Sequence, residues 1–161
     1  MKKAIILAII VSFAAQSIHG QNGLQNKAIG QFHLTDLNNK TWDLSKLKGK
    51  VIVINFWFIA CDPCRREMPE LNNLVSANVK NDIVFLALSP DDKKAIGTFL
   101  KKRKFDYNII PSSLDYISSL NINSFPTHLV IDKQGIIREV FVGYRTDIKE
   151  ELQAKIDELV K

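Results

Sequence analysis

The stretch that decides the fold runs from Gly49 to Leu71 and reads GKVIVINFWFIACDPCRREMPEL. Its first half, Val51 to Ala60, is strongly apolar and rich in β-branched and aromatic residues, which is typical of a strand buried on both faces. Apolar residues then recur at helical spacing, at Met68, Leu71, Leu74 and Val75. The sequence therefore predicts a buried central strand that leads directly into a helix, with Cys61 and Cys64 at the junction.

A cysteine at this junction is well placed for redox chemistry. Unpaired backbone N–H groups and the helix macrodipole stabilise an anion at a helix N-terminus. They lower a thiol pKa from about 8.5 towards neutrality, which would make Cys61 a nucleophilic thiolate. Cys64 lies one turn further on, and Pro63 lacks an N–H that the first turn does not use. The spacing predicts a pair that cycles between dithiol and disulfide.

Two other interpretations of the cysteine pair stay open at this point. A zinc half-site would need two more ligands, and only His33 and His128 are available beyond the N-terminal segment. An inert structural disulfide is the second, although closing so small a loop gains little entropy.

The rest of the chain alternates between strand and helix patterns. Apolar residues around the turn-like run 36–40 suggest a small hairpin. Predicted strands follow at Ile83–Leu88, Tyr107–Ile110, Thr127–Ile131 and Ile136–Val142, and predicted helices follow residue 92, residue 113 and Asp147. This alternation predicts an α/β protein built around a mixed sheet.

Composition and the N-terminus set the broader class. The 161 residues, 46% hydrophobic and 24% charged, predict one globular domain and exclude a disordered chain. Residues 1–20 have a basic start followed by a short apolar run, which predicts a signal peptide or an N-terminal anchor. Residues 21–30 are expected to be a linker and residues 31–161 the folded domain. Without Lys2 and Lys3 of the N-terminal segment the formal net charge falls from +5 to +3 (5 − 2), which is too mild to predict nucleic-acid binding.

Together these features resemble the thioredoxin superfamily, and within it the TlpA/ResA-like branch of extracytoplasmic thiol-disulfide oxidoreductases. The matching stretches are residues 49–57, residues 61–71, Phe125-Pro126-Thr127 and residues 131–135. The resemblance implies a thioredoxin-like fold, with a central mixed β-sheet flanked by helices and an added N-terminal β-hairpin.

The resemblance also implies roles for single residues. Cys61 would attack and Cys64 would resolve, while Glu67 would handle the proton of Cys64 and tune both thiol pKa values. The alternative for Glu67 is an exposed helical acid. Pro126 matches a cis-proline that faces the disulfide, and it would bind the backbone of the client together with Phe125 and Thr127.

Two positions depart from the pattern of the superfamily. Ordinary thioredoxins carry a buried aspartate six residues before the first cysteine, and this chain has Asn55 there, so a buried acid–base role falls to Glu67. The residue before the first cysteine is usually tryptophan and is Ala60 here, an aromatic surface that Phe125 would partly replace. His128 is expected to face solvent or to pack on its strand, with a role near the disulfide as the alternative.

The direction of electron flow is expected to follow from Asp62 and, to a lesser degree, Pro63. A carboxylate beside Cys61 disfavours its thiolate and opposes the helix dipole. Because a stabilised reduced thiolate makes a strong oxidant, a weakened one favours a reductase. A merely solvated Asp62 is the alternative.

The sequence therefore predicts an enzyme that reduces disulfides of client proteins, without a metal or organic cofactor. The resemblance implies a periplasmic or membrane-anchored monomer, a membrane thiol reductant as electron source, and apocytochrome c as one type of client. The alternatives are a disulfide-donating oxidase, a peroxiredoxin-like peroxidase and a non-catalytic binding module. The peroxidase would carry threonine at position 58, which is Phe58 here.

Overall fold

The computed structural model describes residues 23–161, so the predicted signal peptide or anchor lies outside the described residues. Seven strands are present: β1 (His33–Thr35), β2 (Thr41–Asp43), β3 (Val51–Phe56), β4 (Ile83–Leu88), β5 (Asn108–Ile110), β6 (Thr127–Ile131) and β7 (Ile137–Val142). Four α-helices accompany them: α1 (Asp62–Ala77), α2 (Lys93–Leu100), α3 (Leu114–Ser119) and α4 (Ile148–Val160), with a 3₁₀ helix at Leu44–Leu47. Among residues 23–161, no helix is long and apolar enough to cross a membrane.

The central sheet has five strands in the order β5-β4-β3-β6-β7. Strand β3 pairs in parallel with β4 and antiparallel with β6, so the sheet is mixed, as predicted. All six residues of β3 are buried. Because consecutive side chains of a strand point to opposite faces, β3 contributes to a hydrophobic core on each side of the sheet.

The two cores have different partners. Val51 and Val53 of β3 belong to the core on the side of α1, α2 and α4, which also contains both cysteines. Ile52, Ile54 and Phe56 belong to the opposite core, which α3 and the hairpin cover. Strand β3, which ends just before the loop that carries Cys61, is therefore packed on both faces and hydrogen-bonded along both edges.

The predicted N-terminal hairpin is present as the pair β1–β2, with Leu34 opposite Trp42. Its turn is organised by Asp36, which is only 3% exposed. The Asp36 carboxylate accepts hydrogen bonds from the backbone N–H of Lys40 at 3.0 Å and from the Trp42 indole N–H at 2.9 Å. The buried Asp36 carboxylate thus accepts a backbone N–H of the turn and holds the Trp42 ring in the core on that side of the sheet.

The segment before the hairpin differs from the linker that was predicted over residues 21–30. The Asn26 N–H donates to the Ile137 carbonyl at 2.8 Å, and the Ile29 N–H donates to the Gly135 carbonyl at 3.0 Å. The Ile29 side chain is 2% exposed and lies in the core beneath α3. The polar composition of this segment suggested a linker. Its docking could not be read from local sequence, because its hydrogen-bond partners lie more than a hundred residues further along the chain.

Docking of this segment predicts a stability effect. Ile29→Ala removes a buried side chain and should lower the free energy of unfolding by about 2–5 kcal/mol. Lys27→Ala, two residues away and exposed, is the matched control and should change it by less than about 0.5 kcal/mol. Urea denaturation measures both. Equal stability of the two variants would show that residues 24–30 do not belong to the folded domain.

Tyr107 precedes β5 and is buried beside Phe85 and Phe105, with ring centroids 5.1 and 5.0 Å away. Its hydroxyl has no hydrogen-bond partner. Burial raises the pKa of Tyr107 above its usual range, and the Glu67 carboxylate raises it further. The stability that neutral Tyr107 contributes is therefore present below the unfolded pKa of about 10 and is lost as pH rises above it.

Tyr107→Phe should accordingly be neutral or stabilising at pH 7, by up to about 1 kcal/mol, because it removes a buried hydroxyl that lacks a partner. It should also delay alkaline unfolding to higher pH. Tyr144→Phe, at a position that is 42% exposed, is the control and should change neither quantity. Clear destabilisation by Tyr107→Phe at pH 7 would mean that the hydroxyl has a partner in solution.

Candidate active site

The cysteines lie where the chain leaves β3 and enters α1, as the sequence predicts. Cys61 is the N-cap of α1, and its sulfur accepts a hydrogen bond from the Cys64 backbone N–H at 3.2 Å. Cys61 and Cys64 form a disulfide with their Cα atoms 5.3 Å apart, and Pro63 lies in the first helical turn. The attacking sulfur expected from the sequence is thus held at the positive end of a 16-residue helix.

The loop that carries Cys61 is tied down at several points. The Trp57 N–H donates to the Leu88 carbonyl at 3.1 Å, which extends the β3–β4 pairing by one residue. The Ile59 N–H donates to the Asp91 carboxylate at 2.7 Å, and the Arg65 guanidinium donates to the Ile59 carbonyl at 2.7 Å. These bonds fix the position of the loop relative to both the sheet and α1.

The zinc interpretation has no support in this geometry. Both sulfurs are used in the disulfide, His33 pairs with Asp43 at 2.8 Å on the hairpin, and His128 lies in β6. No group of three or more histidine, cysteine, aspartate or glutamate side chains that could hold a metal occurs in the described part of the chain.

Asp62 is exposed and is paired with two cations of its own helix. Arg65 Nη2 lies 2.8 Å from one carboxylate oxygen and Arg66 Nε lies 3.3 Å from the other. This pairing offsets the negative charge that was expected to act on Cys61. The redox-tuning roles of Asp62 and Pro63 remain predictions. The alternative, an Asp62 in contact with solvent alone, differs from the structure, in which Asp62 is also paired with two arginines.

The Phe125–Pro126 peptide bond is cis, as the resemblance implies. Phe125 is half-buried and packs edge-to-face on Phe58, with ring centroids 5.2 Å apart. Thr127, in contrast, is fully buried, and its hydroxyl donates to the Ser124 carbonyl at 2.8 Å. Its side chain is directed into the protein because β6 is buried along its whole length, so Thr127 presents no exposed surface to a client in this structure.

Glu67 is not an exposed helical acid, because its side chain is only 1% exposed. It lies one turn after Cys64 on the buried face of α1. One carboxylate oxygen is 2.9 Å from His128 Nε2, and the other accepts a hydrogen bond from the Arg145 backbone N–H at 2.9 Å. Hydrogen bonds from His128 of β6 and from the Arg145 backbone therefore fix this buried carboxylate, one helical turn after Cys64.

His128 is where the structure departs most from the sequence analysis. The expected exposure to solvent is wrong, because its side chain is fully buried, and its bond to Glu67 fits the alternative of a role near the disulfide, which remains a prediction. Its Nδ1 lies 3.3 Å from Asn55 Nδ2, its neighbour across the β3–β6 pairing. The missed signal was its position: a histidine in the middle of a strand buried on both faces needs polar partners inside the protein.

Comparisons with known proteins agree with this geometry. Residues 25–140 match the model of the AhpC/TSA family. The chain is 31% identical over 135 residues to the thiol-disulfide oxidoreductase ResA of Bacillus cereus, a match that covers 83% of this chain and 77% of that protein.

Solved structures share the fold. A thiol:disulfide interchange protein of the thioredoxin family from Chlorobium tepidum superposes with a TM-score of 0.72 at 22% identity, covering 85% of this chain and 98% of that one. The thioredoxin domain of a thiol-disulfide oxidoreductase from Bacteroides vulgatus gives 0.72 at 21% identity, covering 82% and 97%. The chain therefore belongs to the AhpC/TSA family and, within it, to the thioredoxin-like thiol-disulfide oxidoreductases of the ResA type.

Proposed function

We propose that this thiol-disulfide oxidoreductase works as a reductase of client proteins outside the cytoplasm. The observation that carries thiol–disulfide exchange is the pair Cys61–Cys64 at the start of α1, with the Cys61 sulfur accepting the Cys64 N–H, while the reducing direction rests on the resemblance to the ResA-like branch. That hydrogen bond and the helix dipole stabilise negative charge on Cys61 in the dithiol form. The thiolate is the nucleophile in thiol–disulfide exchange.

The reaction proceeds in two exchanges. The Cys61 thiolate attacks one sulfur of a client disulfide, forms a mixed disulfide and releases the other client sulfur as a thiolate. The Cys64 thiolate then attacks the Cys61 sulfur, restores the internal disulfide and releases the second client thiolate. Two electrons pass from the enzyme to the client, and Glu67 takes up the proton that leaves Cys64.

The client is expected to meet the disulfide through a small surface. Cys61 and Cys64 are only 5% and 2% exposed, so a client has access to little more than the edge of Cys61. The half-buried ring of Phe125, next to the cis bond, supplies apolar contact area beside it. We assign client binding to Phe125 and to the backbone at Pro126, and the fully buried Thr127 supports this segment from inside through its bond to Ser124.

The place of action follows from the N-terminal sequence. Residues 1–20 have the pattern of a signal peptide or anchor, which would bring the domain to the periplasm or its equivalent. Because that compartment is oxidising, the reduced enzyme must be regenerated by a membrane thiol reductant. Cytochrome c biogenesis is a proposed pathway on the basis of the family resemblance.

A thiol peroxidase is the second candidate, because the resemblance also extends to peroxiredoxins, which share the fold and carry a reactive cysteine near this position. Phe58 occupies the place of the threonine expected in that class and packs on Phe125. We therefore expect no peroxide consumption beyond that of free thiols. Rapid peroxide loss catalysed by a Cys64→Ser variant would favour the peroxidase.

Single-cysteine variants test the exchange mechanism. Cys64→Ser keeps the attacking thiol but removes the resolving one, so it should accumulate a mixed disulfide with a client peptide. Cys61→Ser should form none, because the remaining Cys64 is 2% exposed and lies inside the first turn of α1 rather than at its N-cap. Mass spectrometry after incubation with an oxidised peptide measures both. Equal trapping by the two variants would contradict the assigned roles.

The reduction potential tests the direction. We expect a value near −270 mV, the range of thioredoxin, rather than near −120 mV, the range of strong oxidants. Asp62→Asn should make it less negative by no more than about 30 mV, because Arg65 and Arg66 already offset the carboxylate. Replacing both arginines with glutamine should shift it the other way.

Asp115→Asn, an exposed acid in the first turn of α3, is the matched control for Asp62→Asn and should leave the potential unchanged. If neither the Asp62 variant nor the double arginine variant moves the potential, Asp62 does not tune the site. A wild-type value near −120 mV would reverse the proposed electron flow.

A further inference from the structure

Three buried polar side chains form one hydrogen-bonded chain behind the disulfide. Asn55 comes from β3, His128 from β6 and Glu67 from α1, and they are 2%, 0% and 1% exposed. Asn55 Nδ2 lies 3.3 Å from His128 Nδ1, and His128 Nε2 lies 2.9 Å from the Glu67 carboxylate. These hydrogen bonds thus join the centre of the sheet to α1, the helix that begins at the two cysteines.

The order of donors and acceptors along these hydrogen bonds indicates which nitrogen of His128 carries the hydrogen. With the Asn55 amide in this orientation its Nδ2 group donates, so His128 Nδ1 is the acceptor and carries no hydrogen. A neutral imidazole then holds its hydrogen on Nε2, which donates to Glu67. The other Glu67 oxygen accepts the Arg145 N–H. With both oxygens accepting, Glu67 is bound in its carboxylate form.

The identity of residue 55 decides this arrangement. An aspartate there would accept rather than donate and would draw a hydrogen onto His128 Nδ1. The imidazole would then either turn a lone pair towards the Glu67 carboxylate or become an imidazolium between two acids. Asn55 with Nδ2 towards the ring favours neither state, and its amide, unlike an aspartate, brings no second negative charge to the imidazole.

We propose that Asn55 and His128 are positioning residues that hold Glu67 as a carboxylate ready to take the proton of Cys64. The inference rests on the proposed function, in which Glu67 receives that proton. The Cys64 S–H bond breaks, the proton moves to a Glu67 oxygen, and the sulfur electron pair forms the new bond to Cys61. The same proton later leaves with the released client thiolate, so Glu67 returns to its starting state.

The other charged groups around Glu67 fit this assignment. Tyr107 stays neutral, because burial and the Glu67 charge both raise its pKa. Arg145 offers Glu67 only its backbone N–H, since its guanidinium is bonded to Glu151 of α4 at 2.8 Å. The direct hydrogen bonds to Glu67 therefore come from the imidazole and a backbone amide.

The first test observes the histidine directly. Nitrogen-15 NMR of the purified full-length protein, labelled at histidine, distinguishes the imidazolium and the two neutral tautomers. We expect the His128 imidazole to be neutral and to hold its hydrogen on Nε2 at pH 7. His128→Gln identifies the signal by its loss. An imidazolium, or a hydrogen on Nδ1, overturns the proposal without touching the cysteine mechanism.

The second test separates positioning from simple structural support. His128→Gln keeps an amide N–H that can donate to Glu67, whereas His128→Leu keeps none. We expect His128→Leu to slow release of the mixed disulfide about tenfold at neutral pH and to move its pH profile upward, with the Cys61 attack step unchanged. His128→Gln should release within about threefold of wild type. A glutamine variant as slow as the leucine variant overturns the proposal.

Asn55→Asp supplies a third readout that does not depend on the leucine variant folding. It should place a hydrogen on His128 Nδ1 in the NMR experiment and lower the release rate, again without an effect on the attack step. An unchanged tautomer in Asn55→Asp would show that residue 55 does not set the histidine proton. Loss of mixed-disulfide trapping in Cys64→Ser would instead point to failure of the proposed function.

Discussion

The structure depends on the burial of β3 on both faces and along both edges. Because this strand pairs with β4 on one side and β6 on the other, its end at Phe56 cannot shift without breaking two ladders. The backbone bond from Trp57 to Leu88 carries that rigidity one residue further, towards the cysteines. The helix N-cap is therefore placed by the sheet, and the polarity of the first turn of α1 acts on a sulfur whose position is fixed.

The same burial creates an energetic problem that the site solves with polar partners. A carboxylate and an imidazole inside a hydrophobic core are costly unless their hydrogen-bonding groups are satisfied. Glu67 and His128 satisfy one another, and the Arg145 backbone and Asn55 complete the set. A buried network of this kind tolerates few substitutions, since removal of one member leaves the next without a partner. The fold thus couples its own stability to the chemistry at Cys64.

The central strand, the Cys61–Cys64 junction and the hairpin could be predicted because each is encoded by a local pattern of apolar spacing, turn residues and helix-start signals. The docking of Ile29 and the pairing of His128 with Glu67 could not, because each depends on a partner far along the chain. For His128 the strand assignment alone carried a usable signal, since a strand buried on both faces offers no solvent to an imidazole. The inward direction of Thr127 follows from the same reasoning.

For Asp62 the sequence argument was incomplete for a different reason, because it left out two cations that lie close by on the same helix. Its carboxylate next to Cys61 suggested a weakened thiolate, yet Arg65 and Arg66 stand three and four residues later, where helical side chains meet. Counting those cations with the acid leaves the Cys64 N–H and the helix dipole as the dominant influence on Cys61. A reductase then needs its disulfide form stabilised by other means, and the close packing of both sulfurs in the core on the α1 side is the feature of the site that can do so. Electron flow in this protein would then be set less by charge beside Cys61 than by how well the core accommodates the closed disulfide.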